Sequence, residues 1–359
     1  MKIADRVNRL GTEAVYNIFA KTKKLAKEGR KIIDLSLGQS DFKSPQHAVD
    51  AAIEALKNGQ HGYTLPNGII ECREAVSRKI KGLYNANIDP ERIVIMPGGK
   101  PTMHYAISFF GQPESEIIYP DPGFPIYESM IKFTGAKAIP YNMTENKDFL
   151  IDPDKIFKLI NEKTSLLILN NPHNPTGGFT EKHVIDKLAD GLKKFPNLVI
   201  LSDEVYDRLI FDKKKIPTLL NYPHLYNRLI VLNGWSKTYA MTGWRLGWSV
   251  WPEKLIEHVF KFCVNSHSCV NTPAQYGAIA ALDGPEDHLN DMMKEFNLRR
   301  KLIVEGLRSL KGIECSMPGG SFFVFPNVGK TGMNGQDFTE KCLDKADVAM
   351  IPGTAFGKF

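Results

Sequence analysis

A chain of 359 residues is longer than one typical core supports, so it is expected to fold as one large domain plus a smaller one. Apolar residues make up 43% and charged residues 24%, an ordinary globular balance, and the net charge of +6 is spread along the chain, with only a short basic cluster from Lys21 to Lys31 that reads as the wet face of a helix and excludes a nucleic-acid partner. No apolar run approaches the roughly 18 residues of a membrane span, which excludes an integral membrane protein of helical type.

The opening MKIADRVNRLGTEAVYNIFAK disperses its charges and has no uninterrupted apolar core, so it is not a secretory signal. From about Glu13 to Glu28 the spacing predicts a helix, followed by a strand-like run from Ile32 to Leu35. Two helices are expected between Pro45 and Tyr84, separated by the turn-rich HGYTLPNG. The chain then alternates. Strands are predicted at Ile93–Met96, Ile117–Tyr119, Ala136–Pro140, Leu166–Leu169, Leu198–Leu201 and Leu229–Leu232, with helices near Pro101–Phe110, Ile126–Phe133, Pro153–Ile160 and Glu181–Lys194. Short, almost wholly apolar strands between helices mean an α/β fold with a mostly parallel sheet covered on both faces. Ligands of such sheets sit at the carboxyl ends of the strands.

Past Pro285 the pattern changes to a long amphipathic helix up to Leu310, the alternating stretch GGSFFVFPNV, and a last helix and strand near Asp337 to Ile351. This predicts a smaller α+β domain that shares its core with the N-terminal segment. The large domain is expected over 45–285 and the small one over 1–44 and 286–359. Five cysteines are odd in number and widely spaced, and form no CxxC pair. They argue for reduced thiols in a cytoplasm and against a disulfide framework or a zinc site, so no metal is expected.

Most predicted strand ends carry a chemically usable residue. After Met96 come Gly98, Gly99 and Lys100, a glycine turn opening a helix, which can bind an anion on free N–H groups or be a plain turn. After Tyr119, the loop PDPGFPIY presents Phe124, which can stack on a flat heteroaromatic ring or simply line a core. After Leu169, NNPHNPTGG holds Asn174 at a fixed angle as a donor, and the same Asn-Pro pattern also makes ordinary turns. His173 inside it reads as a structural or exposed histidine and not as a general base. After Leu201 comes Asp203, costly at a buried strand end without a partner, with Tyr206 three residues on; a helix N-cap is the plain alternative.

The run Ser236-Lys237-Thr238-Tyr239-Ala240-Met241-Thr242-Gly243-Trp244-Arg245 is the most informative. A nucleophilic lysine wants a partly dry pocket with a nearby cation, because both favour its neutral amine. Ser236 and Arg245 are what a phosphate monoester needs. A Schiff-base lysine beside a phosphate cradle is the protein half of pyridoxal-phosphate chemistry.

In order and spacing, these signals resemble the class I aminotransferases of pyridoxal-phosphate fold type I, over about Thr12 to Phe356, and look most like the bacterial aspartate-aminotransferase group. The resemblance implies pyridoxal 5'-phosphate as cofactor and transamination between an amino acid and a 2-oxo acid. Lys237 resembles the lysine that holds the cofactor as a Schiff base and shuttles the proton. Asp203 matches the partner of the pyridinium nitrogen, and Asn174 and Tyr206 match donors to the phenolic oxygen. Ser236 and Arg245, with the backbone around Gly99 and Lys100, match the phosphate site, while Phe124 stands over the ring. Gly38 is similar to the glycine whose backbone touches substrate. Tyr63 resembles the tyrosine that reaches the phosphate of a neighbouring subunit, and Cys269–Pro273 the loop that crosses the same interface, which implies a homodimer with shared active sites. The same fold also hosts C–S lyases, decarboxylases and racemases, and a non-catalytic cofactor-binding regulator is the reading from a different class.

One departure stands out. The family's arginine for the substrate α-carboxylate follows the Pro-Gly-Thr-Ala-Phe-Gly stretch, and here no arginine follows Arg308. The expectation is a fragment of a longer protein, or else a cofactor binder that handles substrate poorly. Lys100 resembles the side chain that meets a distal carboxylate in aspartate-specific relatives, whereas Glu13 would repel one.

Overall fold

The computed structural model describes residues 1–11, 14–212 and 215–358. Glu13 and its expected effect on an acidic substrate lie outside the described residues. Among these, the strands are β1 (Ile33–Asp34), β2 (Ile93–Met96), β3 (Glu116–Asp121), β4 (Lys137–Asn142), β5 (Thr164–Asn170), β6 (Val199–Asp203), β7 (Leu229–Gly234), β8 (Gly247–Val250) and β9 (Val348–Ala349). The helices are α1 (Ala14–Lys27), α2 (Gln46–Lys57), α3 (Ile70–Tyr84), α4 (Lys100–Phe110), α5 (Ile126–Thr134), α6 (Pro153–Leu159), α7 (Lys182–Gly191), α8 (Ile256–Ser266), α9 (Thr272–Asp283), α10 (Asp287–Ser309) and α11 (Gly335–Ala346).

Seven strands form one sheet in the order β2-β8-β7-β6-β5-β3-β4, parallel throughout except for β8, which runs antiparallel to both neighbours. Every residue of β2, β3, β6, β7 and β8 is buried. That is why IVIM of β2, VIL of β6 and LIVL of β7 read as continuously apolar: helices cover both faces. Alternate residues then feed two cores. Leu167, Leu169, Ile200 and Val231 pack with side chains of α2, α3, α7 and α9. Leu166, Ile168, Leu201 and Ile230 pack with side chains of α4, α5 and α8. Each fully buried Ile, Leu or Val of these layers contributes about 1.5–3 kcal/mol relative to exposure.

The register matters for chemistry. Asn170 pairs with Asp203, and Asp203 with Leu232, so the carboxyl ends of β5, β6 and β7 finish level. Gly247, the first residue of β8, lies opposite both Met96 and Gly234. Because β8 runs backwards, its entry point reaches the same sheet edge as the exits of β2 and β7. The sequence gives little sign of β8, and that strand is what carries Arg245 to the edge where the other chemistry-bearing loops emerge.

The ends of the chain meet in a two-stranded parallel sheet, with Ile33 opposite Val348. Arg30 fastens it: Nε donates to Asp347 and Nη2 to the Leu343 carbonyl, both at 2.6 Å. The alternating run 319–328 forms no extended ladder, only isolated bridges Ile210–Gly320 and Glu314–Asn327. Ser321 sits in the left-handed region at φ 58°, and a Cβ on Gly319 or Gly320 would press on Phe179 or Pro172, so the backbone turns there instead of extending. Its phenylalanines are used all the same: Phe322 and Phe323 pack with Tyr206, Phe42, Phe296 and Met292 of α10 in a third core. No helix among the described residues is long and apolar enough to cross a membrane.

Candidate active site

Lys237 follows β7 and is partly buried. Its Nζ donates to the Gly38 carbonyl at 2.6 Å. It lies 5.5 Å from the ring centre of Phe322 and 5.8 Å from that of Tyr206. Burial first, then the cation of Arg245, pushes its ammonium down to about 8, with Lys100 acting the same way and Asp203 opposing. An amine with this value has a useful neutral fraction near neutrality, which an exposed lysine lacks.

Asp203 closes β6 and is 3% exposed. Oδ2 accepts from the Tyr127 hydroxyl at 2.6 Å and Oδ1 from the Val205 N–H at 3.2 Å. Burial nevertheless pushes the carboxyl up to about 6, since two neutral donors and the more remote Lys237 do not replace lost water. Its main chain is fixed by β5, for Asn170 Nδ2 and Asn171 N both donate to the Asp203 carbonyl, at 3.0 and 3.2 Å. Tyr206, in the following turn, is 2% exposed and stands edge-on to Phe322 and Phe323 at 5.6 and 5.7 Å. Burial, seconded by Asp203, raises its phenol, so the hydroxyl stays protonated and a donor.

The Asn-Pro loop is anchored from within: Asn174 N donates to Asn170 Oδ1 at 2.8 Å, which leaves the Asn174 side chain available. His173 is 1% exposed, pairs through Nδ1 with the Thr176 hydroxyl at 2.7 Å, and is pushed down to about 3 by burial. It is a neutral structural residue.

On the other side of Lys237, Gly98 takes φ 90° and Gly99 caps α4. A Cβ on Gly98 would run into the Arg245 guanidinium, and one on Gly247 into the Gly98 backbone, so only glycines let β8 bring Arg245 this close. Arg245 itself is exposed, in the left-handed region at φ 55°, with Nη1 donating to the Thr242 carbonyl at 2.7 Å. The guanidinium on this side of Lys237 is therefore open to solvent. Lys100, at the start of α4, lies 5.6 Å from the ring centres of both Tyr16 and Phe124. Tyr63 stands apart from this set, 93% exposed, its loop tied to α9 by Thr272 Oγ1 donating to the Gly62 carbonyl at 2.7 Å.

This donor set fits pyridoxal phosphate. A buried carboxylate short of a cation suits a protonated ring nitrogen. The N-terminus of an 11-residue helix, a serine hydroxyl and an open guanidinium suit a phosphate. A lysine shifted toward its neutral form suits a carbonyl carbon. An open cleft of about 780 Å³, lined by Glu145, Phe179, His183, Arg308 and Cys315, contains none of these groups. Sequence reasoning missed Tyr127, Phe322 and Phe323; Tyr127 lies inside the quoted PDPGFPIY loop, and its spacing of three from Phe124 was the available signal.

The family model for aminotransferase class I and II matches residues 30–358. A probable aspartate aminotransferase of Methanocaldococcus jannaschii is 38% identical over 332 residues, covering 91% of this chain and 86% of the relative. An aspartate aminotransferase of Pyrococcus horikoshii is 36% identical over 359 residues, covering 99% of this chain and 90% of the relative. Among solved structures, an aspartate aminotransferase from Rhizobium meliloti superposes with a TM-score of 0.94 at 29% identity, covering 100% of this chain and 92% of that one.

Proposed function

The chain belongs to the class I and II aminotransferases, fold-type-I enzymes that transaminate amino and 2-oxo acids with pyridoxal phosphate, and from that premise we propose that Lys237, Asp203 and Tyr206 carry the chemistry, with Asn174, Phe124, Ser236, Arg245, Gly99 and Lys100 holding the cofactor. Pyridoxal phosphate, when bound, supplies an electron-withdrawing ring that stabilises the electron pair left at the amino acid's Cα after deprotonation. The observation that carries the assignment is the pairing of a lysine pushed down to about 8 with a buried carboxyl pushed up to about 6, on adjacent strand ends of one sheet.

In this reading Asp203 is the anion beside the ring nitrogen, and Tyr206 and Asn174 donate to the ring oxygen. Phe124 covers one face of the ring and excludes water from it. Ser236, Arg245 and the N–H groups at Gly99 and Lys100 neutralise the phosphate. Lys237 Nζ would hold the cofactor and, as a free amine, would be the base that takes and returns the substrate Cα proton. Gly38, whose carbonyl now occupies that amine, gives its backbone to the substrate together with Asn174.

We propose an acidic amino acid as substrate, aspartate first, supported by the relatives named for aspartate and by the cation of Lys100 between two aromatic rings. We further propose a homodimer in which Tyr63 reaches the partner's phosphate, supported by its 93% exposure and the Thr272 tie. The division into 45–285 and 1–44 plus 286–359 is likewise our proposal, supported by β1 pairing with β9. So is a cytoplasmic location, which five free thiols favour.

Half-reaction kinetics across the amino acids test the assignment. Formation of the 2-oxo acid matching each amino acid, fastest with aspartate and abolished in Lys237→Ala, is the expected result. Release of ammonia and pyruvate with loss of a thiol would replace it with a lyase.

A further inference from the structure

Tyr127 is the second residue of α5, three residues beyond Phe124, and none of its surface is exposed. Two contacts radiate from it. The ring meets Phe124 edge-on, centres 5.9 Å apart at 86°, and its N–H donates to the Phe124 carbonyl at 3.0 Å. The hydroxyl donates to Asp203 Oδ2 at 2.6 Å, the shorter of that carboxyl's two hydrogen bonds. The other titratable groups facing this pair are Tyr206 from the turn after β6, Lys237 from the turn after β7, and Tyr141 from β4. Tyr141 is also buried, and its hydroxyl has no hydrogen-bond partner among the described residues.

We propose that Tyr127 is a positioning residue whose hydroxyl fixes the Asp203 carboxylate and keeps it ionised, while its ring sets the angle of Phe124. One buried side chain then aligns both the edge contact and the face contact of the cofactor ring. The proposal rests on the reading of Asp203 and Phe124 given above. Burial favours the neutral acid, and a donor to the carboxylate is the force that opposes it. With the Tyr127 bond in place the Asp203 carboxyl stands at about 6, so it is ionised at neutral pH with little margin. Removing the donor moves protonation upward into the neutral range, where the anion would no longer be assured.

The test begins on cofactor-free protein, with infrared titration of isotope-labelled Asp203. Tyr127→Phe should raise the midpoint by about one pH unit, the order expected for losing a hydrogen bond to a charged group. Tyr141→Phe, which removes an unpaired hydroxyl from the same pocket, should leave it in place. Cofactor affinity should fall about tenfold in Tyr127→Phe, and the same change should add nothing in an Asp203→Asn background, because both act through one carboxylate. An unmoved midpoint in Tyr127→Phe, an equal shift in Tyr141→Phe, or additive losses in the double variant each overturn the proposal. Should Tyr127→Phe not fold, difluorotyrosine at 127 makes the hydroxyl a stronger donor and should move the midpoint down; no movement overturns the proposal equally. Wild-type affinity and turnover in Asp203→Asn would instead sink the reading of Asp203 itself.

Discussion

If burial and the Arg245 cation hold Lys237 near 8 instead of the ordinary 10.5, its reactivity toward an aldehyde must titrate there. At about pH 7.5 roughly a quarter of such amines are neutral, against roughly one in a thousand for an ordinary lysine, so the site gains a reactive fraction on the order of 200-fold. The assay is the rate of adduct formation between cofactor-free enzyme and pyridoxal, which lacks the phosphate, so that loss of phosphate contacts does not confuse the result. The rate should climb through pH 8 and level off above it. Arg245→Ala removes a cation that disfavours the ammonium, and the midpoint should move up by some tenths to about one unit. Asp203→Asn removes an anion that favours the ammonium, ionised at this pH because its own value is about 6, and the midpoint should move down. A wild-type midpoint above 10, or shifts of the same sign in the two variants, would refute this electrostatic account of Lys237.

Asp203→Ala should slow Cα proton removal by at least about a hundredfold while weakening cofactor binding far less, as for loss of one well-placed electrostatic stabiliser; single-turnover rates set against cofactor titration decide it. Gly98→Ala puts a Cβ where φ is 90° and the Arg245 guanidinium lies, so affinity for pyridoxal phosphate should drop about tenfold or more while affinity for pyridoxal is spared. Equal losses for both ligands would mean that Gly98 serves folding and not the phosphate. Mixing Tyr63→Phe with Lys237→Ala protein should give activity above either parent, since one site of a mixed dimer then carries neither defect; no rise after confirmed subunit exchange would count against the shared site.

The parallel strands were legible because their physics is local. IVIM, LLIL and LIVL are short and wholly apolar, and both faces of β2, β5 and β7 prove covered. By contrast β8 reads Gly-Trp-Ser-Val, with no run or alternation to mark it, and it exists because β2 and β7 both accept it in register. Helix α9, TPAQYGAIAALD, is buried along most of its length and therefore lacks the polar stripe that identifies a helix from periodicity. Within the candidate site, Asp203, Tyr206, Lys237 and Asn174 were visible as turn residues closing apolar strands. Their partners were not, because 76 residues separate Tyr127 from Asp203 and 199 separate Gly38 from Lys237, and only tertiary packing joins them. The openness of Arg245 also escaped the sequence, since it depends on where β8 enters the sheet.

The catalytic assignment turns on Lys237 as the residue that joins the cofactor. Purified protein loaded with pyridoxal phosphate should be yellow, and borohydride should fix the label irreversibly on one peptide, the one containing Lys237, with no label in Lys237→Ala. Label on Lys100, or undiminished turnover in Lys237→Ala, would contradict the account.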